Sequence, residues 1–254
     1  MTVGIDHTPD LGVYRTRAAL GRAAASCAAT AIREAIERTG RARIMLAAAP
    51  SQAETLAALA LEPGIEWSMV ECFHMDEYVG LPADAPQVFA NWLRSAFLNQ
   101  VPKATFRPVA PGADPERAAR QYEALMGDEA FDVVLLGLGV NGHLAFNDPP
   151  ADFDDDRAAK VVALDPTSRR QQVDEGHFGG IEDVPTQAVT VTIPRLLNAR
   201  RLIASVPGTA KRQAVLDTLA RPIGPDFPGT ALRTHPSVRL FLDEESDPAP
   251  REAG

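Results

Sequence analysis

The chain has 254 residues and a formal net charge of −9, from 34 acidic and 25 basic side chains. Hydrophobic residues make up 45% and charged residues 23%, which excludes a disordered chain, and no apolar run approaches the ~18 residues that a membrane-spanning helix needs. The acidic balance also argues against a binder of nucleic-acid backbones, a role that requires a basic surface.

The N-terminus carries no basic segment followed by an apolar one, so a cytoplasmic chain is expected. Residues Leu11 to Thr39 are rich in Ala, Leu, Arg and Glu, a composition that predicts a long helix ended by Gly40. An apolar run, Ala42–Ala49, then predicts a strand, and Ser51–Glu62 a helix capped by Ser51. Ser68–Met75 and Phe131–Gly137 are two further buried-type strands, with helices expected at Gln87–Leu98 and Asp114–Met126, the latter opened by an Asp-Pro pair. Strands are expected at Lys160–Leu164, Ala188–Ile193, Leu202–Val206 and Val238–Leu242, with a helix at Thr209–Leu219. This alternation, uninterrupted by any linker, predicts one α/β domain over residues 1–254. It would be a three-layer, Rossmann-like arrangement of a mainly parallel sheet between helices, with a frayed tail over 243–254. Cys27 and Cys72 share no pairing or metal-ligand spacing and are expected to be free thiols.

In such sheets ligands bind beyond the carboxyl ends of the strands, so the residues that follow each apolar run are the candidates. AAAPSQAET places Ser51 and Gln52 where a strand breaks and a helix starts, a geometry suited to a phosphate or to a plain helix cap. HMDEYVGLP places two carboxylates, Asp76 and Glu77, at another strand end. They suit either a solvated acidic loop or a pair in which one faces a ligand, where a partly buried carboxylate can act as a proton-abstracting base, and the other tethers the loop.

FDVVLLGLGVNGHLAFNDPP contains a GxGxxG match at Gly137, Gly139 and Gly142, but the glycines lead into His143, Asn147 and Asp148, and Pro149-Pro150 stops any helix. A dinucleotide turn has no use for that histidine, whereas a His143 oriented by Asp148 suits proton transfer. PGTAKRQAV sets Lys211 in the first turn of a helix, where a cation is unfavourable unless an anion binds, and Arg169 and Arg170 supply a second cationic spot. His74, Asp76, His143, His177 and His235 share no metal-ligand spacing, so no metal is expected.

MDEYVGLP (Met75–Pro82) and GxGxNGHLAFNxP (Gly137–Pro149) resemble the two signature segments of the glucosamine-6-phosphate deaminase/isomerase family, with weaker similarity through VPTQAVTVTIPRLL and VPGTAKRQAV. The resemblance implies a modified Rossmann-like fold and conversion of glucosamine 6-phosphate and water to fructose 6-phosphate and ammonia without a cofactor. It implies that Asp76 moves a proton between C2 and C1 of the open-chain sugar, and that His143 opens the ring with residues Asn141 and Asp148. Ser51, Gln52, Glu77, Gly139, Gly142, Arg169 and Lys211 would bind substrate and its phosphate. The partner implied is an amino-sugar phosphate, with no nucleic acid and no membrane, and the sequence is compatible with a homo-oligomer. Three places depart from the family pattern: Asn141 for an Asp found in some members, Asp148 for a Glu in many, and AAPSQAET for a glycine- and threonine-rich phosphate loop. The rival readings are a 6-phosphogluconolactonase, whose family shares the fold and a Gly-His signature, and a sugar-phosphate sensor without catalysis.

Overall fold

The computed structural model describes residues 5–249. The central sheet has seven strands, and its strands alternate their side chains between two cores. Ile44 and Leu46 of β2 (Ala42–Leu46) enter one core and Met45 the other, while β6 (Val133–Leu136) divides Val133 and Leu135 from Val134 and Leu136 in the same way. Burial on both faces is why these strands read as continuous apolar runs. The strand order is β1 (Asp10–Tyr14), β10 (Val238–Asp243), β9 (Leu202–Val206), β6, β2, β3 (Val70–His74), β5 (Thr105–Arg107), and every neighbouring pair is parallel.

One core lies under α1 (Arg17–Thr39), α2 (Ala53–Ala60) and α3 (Phe89–Ala96). The alanines of α1 bring it close to α2, so close that a Cβ on Gly21 would stand 2.7 Å from the Glu54 backbone carbon. Thr16 caps α1 by accepting from the Ala19 N–H, and Gly40 ends it with φ +76°. The opposite core lies under α4 (Pro115–Met126), α6 (Ile193–Leu197) and α7 (Arg212–Ala220).

A second, three-stranded antiparallel sheet joins β4 (Asp76–Tyr78), β8 (Gln187–Val191) and β7 (Ala159–Ala163), and α5 (Pro166–Asp174) follows β7. This corrects the reading of residues 76–78 as a loop and of residues 160–164 and 188–193 as central-sheet strands. Two other boundaries differ from expectation. Residues 10–14 are an edge strand on β10, since Val13 and Tyr14 gain a partner there that a helix would deny them. Asp243 and Ser246 are buried, and Asp243 accepts the Gly208 N–H at 3.0 Å through both carboxylate oxygens, so the chain stays tethered past residue 243. The last five residues of the expected tail lie outside the described residues.

Among the described residues no helix is long and apolar enough to cross a membrane. No group of three or more His, Cys, Asp or Glu among them is placed to hold a metal ion.

Candidate active site

The strand order reverses between β2 and β6: the chain runs outward from β2 through β3 to β5, then returns to β6 and continues through β9 and β10. A crevice opens at such a point beyond the carboxyl ends of the strands. Here the ends of four adjacent strands, β3, β2, β6 and β9, contribute Asp76, Ser51, His143 and Lys211 to one cleft.

Asp76 is the first residue of β4. Its strand partner is Thr190 of β8, and the antiparallel pairing turns its carboxylate into the cleft, only 7% exposed and with no hydrogen-bond donor among the described residues. Burial, reinforced by the negative charge of Glu77, pushes its pKa up to about 8. Glu77 points the other way. Its two oxygens accept the N–H groups of Tyr78, Phe89 and Ala90 at 2.9–3.0 Å, closing the otherwise bare N-terminus of α3. The structure therefore assigns Glu77 to the tether, which corrects its placement among the substrate-binding residues: the helix start consumes the carboxylate.

His143 rests on Gly139. A Cβ at residue 139 would come within 2.2 Å of the imidazole, so the glycine is required by close approach of the ring. Gly142 has φ +81° and makes the turn that brings the histidine back, with the Gly139 N–H donating to His143 O at 3.0 Å. The rest of the motif locks this turn onto the second sheet. The Phe146 N–H donates to Thr190 Oγ1, and Asn147 Nδ2 donates to the carbonyls of Leu144 and Val191. Ala145 adopts φ +50° and lines the cleft beside Phe146.

Behind the imidazole, three groups converge on Asp148 Oδ1: Asn141 Nδ2 at 2.9 Å, His143 Nδ1 at 3.1 Å and Ser168 Oγ at 2.5 Å. Ser168 Oγ also lies 2.8 Å from His143 Nδ1 and is wholly buried. Burial alone would raise the Asp148 pKa, but the bonds from His143, Asn141 and Ser168 outweigh it and hold the carboxyl at about 2. An anion at that position favours the tautomer with the proton on Nδ1, which leaves Nε2 without a partner among the described residues and free to exchange a proton in the cleft.

Ser51 lines the cleft as expected, but it does not cap a helix: residues 50–52 form a 3-10 turn led by Pro50, and Ser51 Oγ accepts from Gln52 Nε2 at 3.1 Å. Gln52 is buried beneath, where Nε2 also donates to Ser205 O, tying the loop after β2 to β9. Arg169 lies apart from the cleft. Its Nη2 donates to the carbonyls of Ile181 and Val184, so that guanidinium braces the turn after α5. Arg170 is exposed. Lys211 is buried in the cleft, with its pKa lowered by desolvation against the opposing pull of Glu175.

Sequence reasoning missed Ser168, Gln171, Gln172 and Glu175, all carried by or adjoining α5, and the last three line the cleft. The signal was the Asp165-Pro166 pair, in which Asp165 caps the helix by accepting the Thr167 N–H at 2.7 Å.

Residues 15–240 match the family model described as glucosamine-6-phosphate isomerases/6-phosphogluconolactonase. The chain belongs to this family. It is 34% identical to a glucosamine-6-phosphate deaminase of Streptococcus sanguinis over 187 residues, which cover 73% of this chain and 78% of that one. It is 32% identical to the deaminase of Listeria innocua over 209 residues, covering 82% and 88%. Among solved structures, a monomeric glucosamine-6-phosphate deaminase superposes with a TM-score of 0.86 at 27% identity, covering 93% of this chain and 98% of that one. A 6-phosphogluconolactonase of Shewanella baltica shares the fold, with a TM-score of 0.76 at 21% identity over 94% and 99% of the two chains. The isomerase/lactonase family thus encloses both enzyme readings made from the sequence.

Proposed function

We propose that this chain is a glucosamine-6-phosphate deaminase, converting glucosamine 6-phosphate and water to fructose 6-phosphate and ammonia. The observation that carries this reading is Asp76, a buried carboxylate with no hydrogen-bond partner among the described residues, facing the same cleft as His143. Hydrolysis of a lactone requires activation of water only. Aldose–ketose isomerisation requires a base that takes a proton from C2 and returns it to C1, and a desolvated carboxylate with a raised pKa is matched to that task.

His143 acts first in this scheme. Its Nε2 takes the proton of the C1 hydroxyl and delivers it to the ring oxygen as the bond between C1 and that oxygen breaks, opening the pyranose to the aldehyde. Asp148, Asn141 and Ser168 keep the imidazole oriented while its charge changes. Asp76 then removes the C2 proton, the electron pair passes through an enolamine, and C1 receives a proton. The resulting C2 imine adds water and loses ammonia, leaving the ketose. Lys211 and Ser51 hold the phosphate, so that binding energy remote from the reacting carbons positions C1 and C2.

The test is an assay of purified protein with glucosamine 6-phosphate and, separately, 6-phosphogluconolactone. Ammonia and fructose 6-phosphate formed together are the expected result, and lactone hydrolysis faster than ammonia release would reverse the assignment.

A further inference from the structure

Lys211 is the only lysine or arginine lining the cleft among the described residues, and an anionic substrate has to use it. Its charge is already answered from within. Glu175, the residue that caps the C-terminus of α5, brings Oε1 to 3.5 Å from Lys211 Nζ. The same oxygen accepts a hydrogen bond from Gln171 Nε2 at 2.7 Å, and Gln171 Oε1 in turn accepts the Val140 N–H at 2.9 Å, in the turn that carries His143. Two donors in the cleft, Lys211 Nζ and Gln171 Nε2, are therefore both turned onto one carboxylate oxygen.

A phosphate cannot share that position. With Glu175 in place, a dianion arriving at Lys211 meets a like charge at the distance of a direct contact, in a site shielded from bulk solvent, where repulsion is costly. The Glu175 side chain retains 20% of its exposure and is followed by Gly176 at φ +81°, so it has a route to solvent that the 8%-exposed side chain of Lys211 lacks. Once it leaves, the lysine ammonium and the Gln171 amide are both free to donate.

Building on the sugar-phosphate reading of this cleft, we propose that Glu175 is an internal counter-ion that occupies the anion seat while the cleft is empty and that the substrate's phosphate must displace. Glu175 thereby sets a threshold that a strong anion crosses and an unphosphorylated sugar does not. It is a specificity-determining residue that acts by competing with the substrate.

The test is calorimetric titration of the full chain with inorganic phosphate, comparing wild type, Glu175→Gln and Lys211→Met. Glutamine keeps an oxygen to accept from Gln171 while removing the charge, and Glu175→Ser serves as a second variant should the first fail to fold. The expected result is phosphate binding at least about tenfold tighter in the Glu175 variant than in wild type, and loss of binding in Lys211→Met. Binding that is unchanged or weaker in the Glu175 variants, or absent from every form, overturns the proposal. Failure of the functional reading has a different signature: wild type would release no ammonia from glucosamine 6-phosphate while the phosphate titrations still showed the Glu175 effect.

Discussion

The His143 ring lies flat against the α-carbon of Gly139, closely enough that a Cβ there would come within 2.2 Å of Cε1 and 2.3 Å of both ring nitrogens. Three residues separate the two, and the tight turn they form presents the ring to the cleft. Gly139→Ala is expected to displace the imidazole and lower kcat by about 100-fold, the scale on which a misplacement of about 1 Å acts. Circular dichroism should remain that of wild type. A variant with wild-type kcat would show that the ring does not need this seat.

Ser168 makes the shortest bond to Asp148 and touches His143 Nδ1. Ser168→Ala removes one of three donors from the carboxylate, and kcat should fall about tenfold, a loss of roughly 1.4 kcal/mol, typical of a buried bond to a charged partner. KM should change little, because Ser168 does not line the cleft. Steady-state kinetics separates the two parameters, and a change confined to KM would contradict the role.

The raised pKa of Asp76 makes two signed predictions. Its base form fills as pH rises toward about 8, so kcat/KM should climb with pH over that range in wild type. Stability runs the other way: a carboxyl whose folded pKa lies above its unfolded value of 3.8 contributes stability that is complete below that value and is lost as pH rises toward 8. Asp76→Asn should therefore raise Tm at pH 8 by several degrees and leave it near wild type around pH 4. Thermal melts at the two pH values check this, and equal Tm values at pH 8 would argue against a desolvated Asp76.

Glu77 is the neighbour whose charge helps to raise Asp76, and it also closes α3. Glu77→Gln should cost about 2 kcal/mol of stability through weakened bonds to three backbone N–H groups. It should also move the rising limb of kcat/KM to lower pH, because a negative neighbour of Asp76 is gone. Chemical denaturation and a pH–rate profile read the two effects independently.

Much of this was legible in the chain. Ile44 to Leu46 and Val133 to Leu136 read as strands because both faces are buried, and the glycine turn ending in His143 stood out because no buried strand needs that composition. The second sheet was not legible. Asp76-Glu77-Tyr78 is too short and polar to signal a strand, and its pairing with Ala188–Thr190 is a tertiary contact with no local trace. Helix α5 hid for another reason: TSRRQQVD has no apolar stripe, so its residues look like a loop although Asp165-Pro166 begins it just as Asp114-Pro115 begins α4. Arg169 was read from its charge alone, and charge does not reveal that the carbonyls of Ile181 and Val184 claim it.

The most direct measurement of the central claim is turnover of glucosamine 6-phosphate by wild type and by Asp76→Asn, scoring ammonia and fructose 6-phosphate in the same reaction. Equimolar products from wild type, and a rate reduced by about 10³-fold in the variant, are predicted for a carboxylate that carries the C2 proton. Wild-type turnover by Asp76→Asn would contradict it.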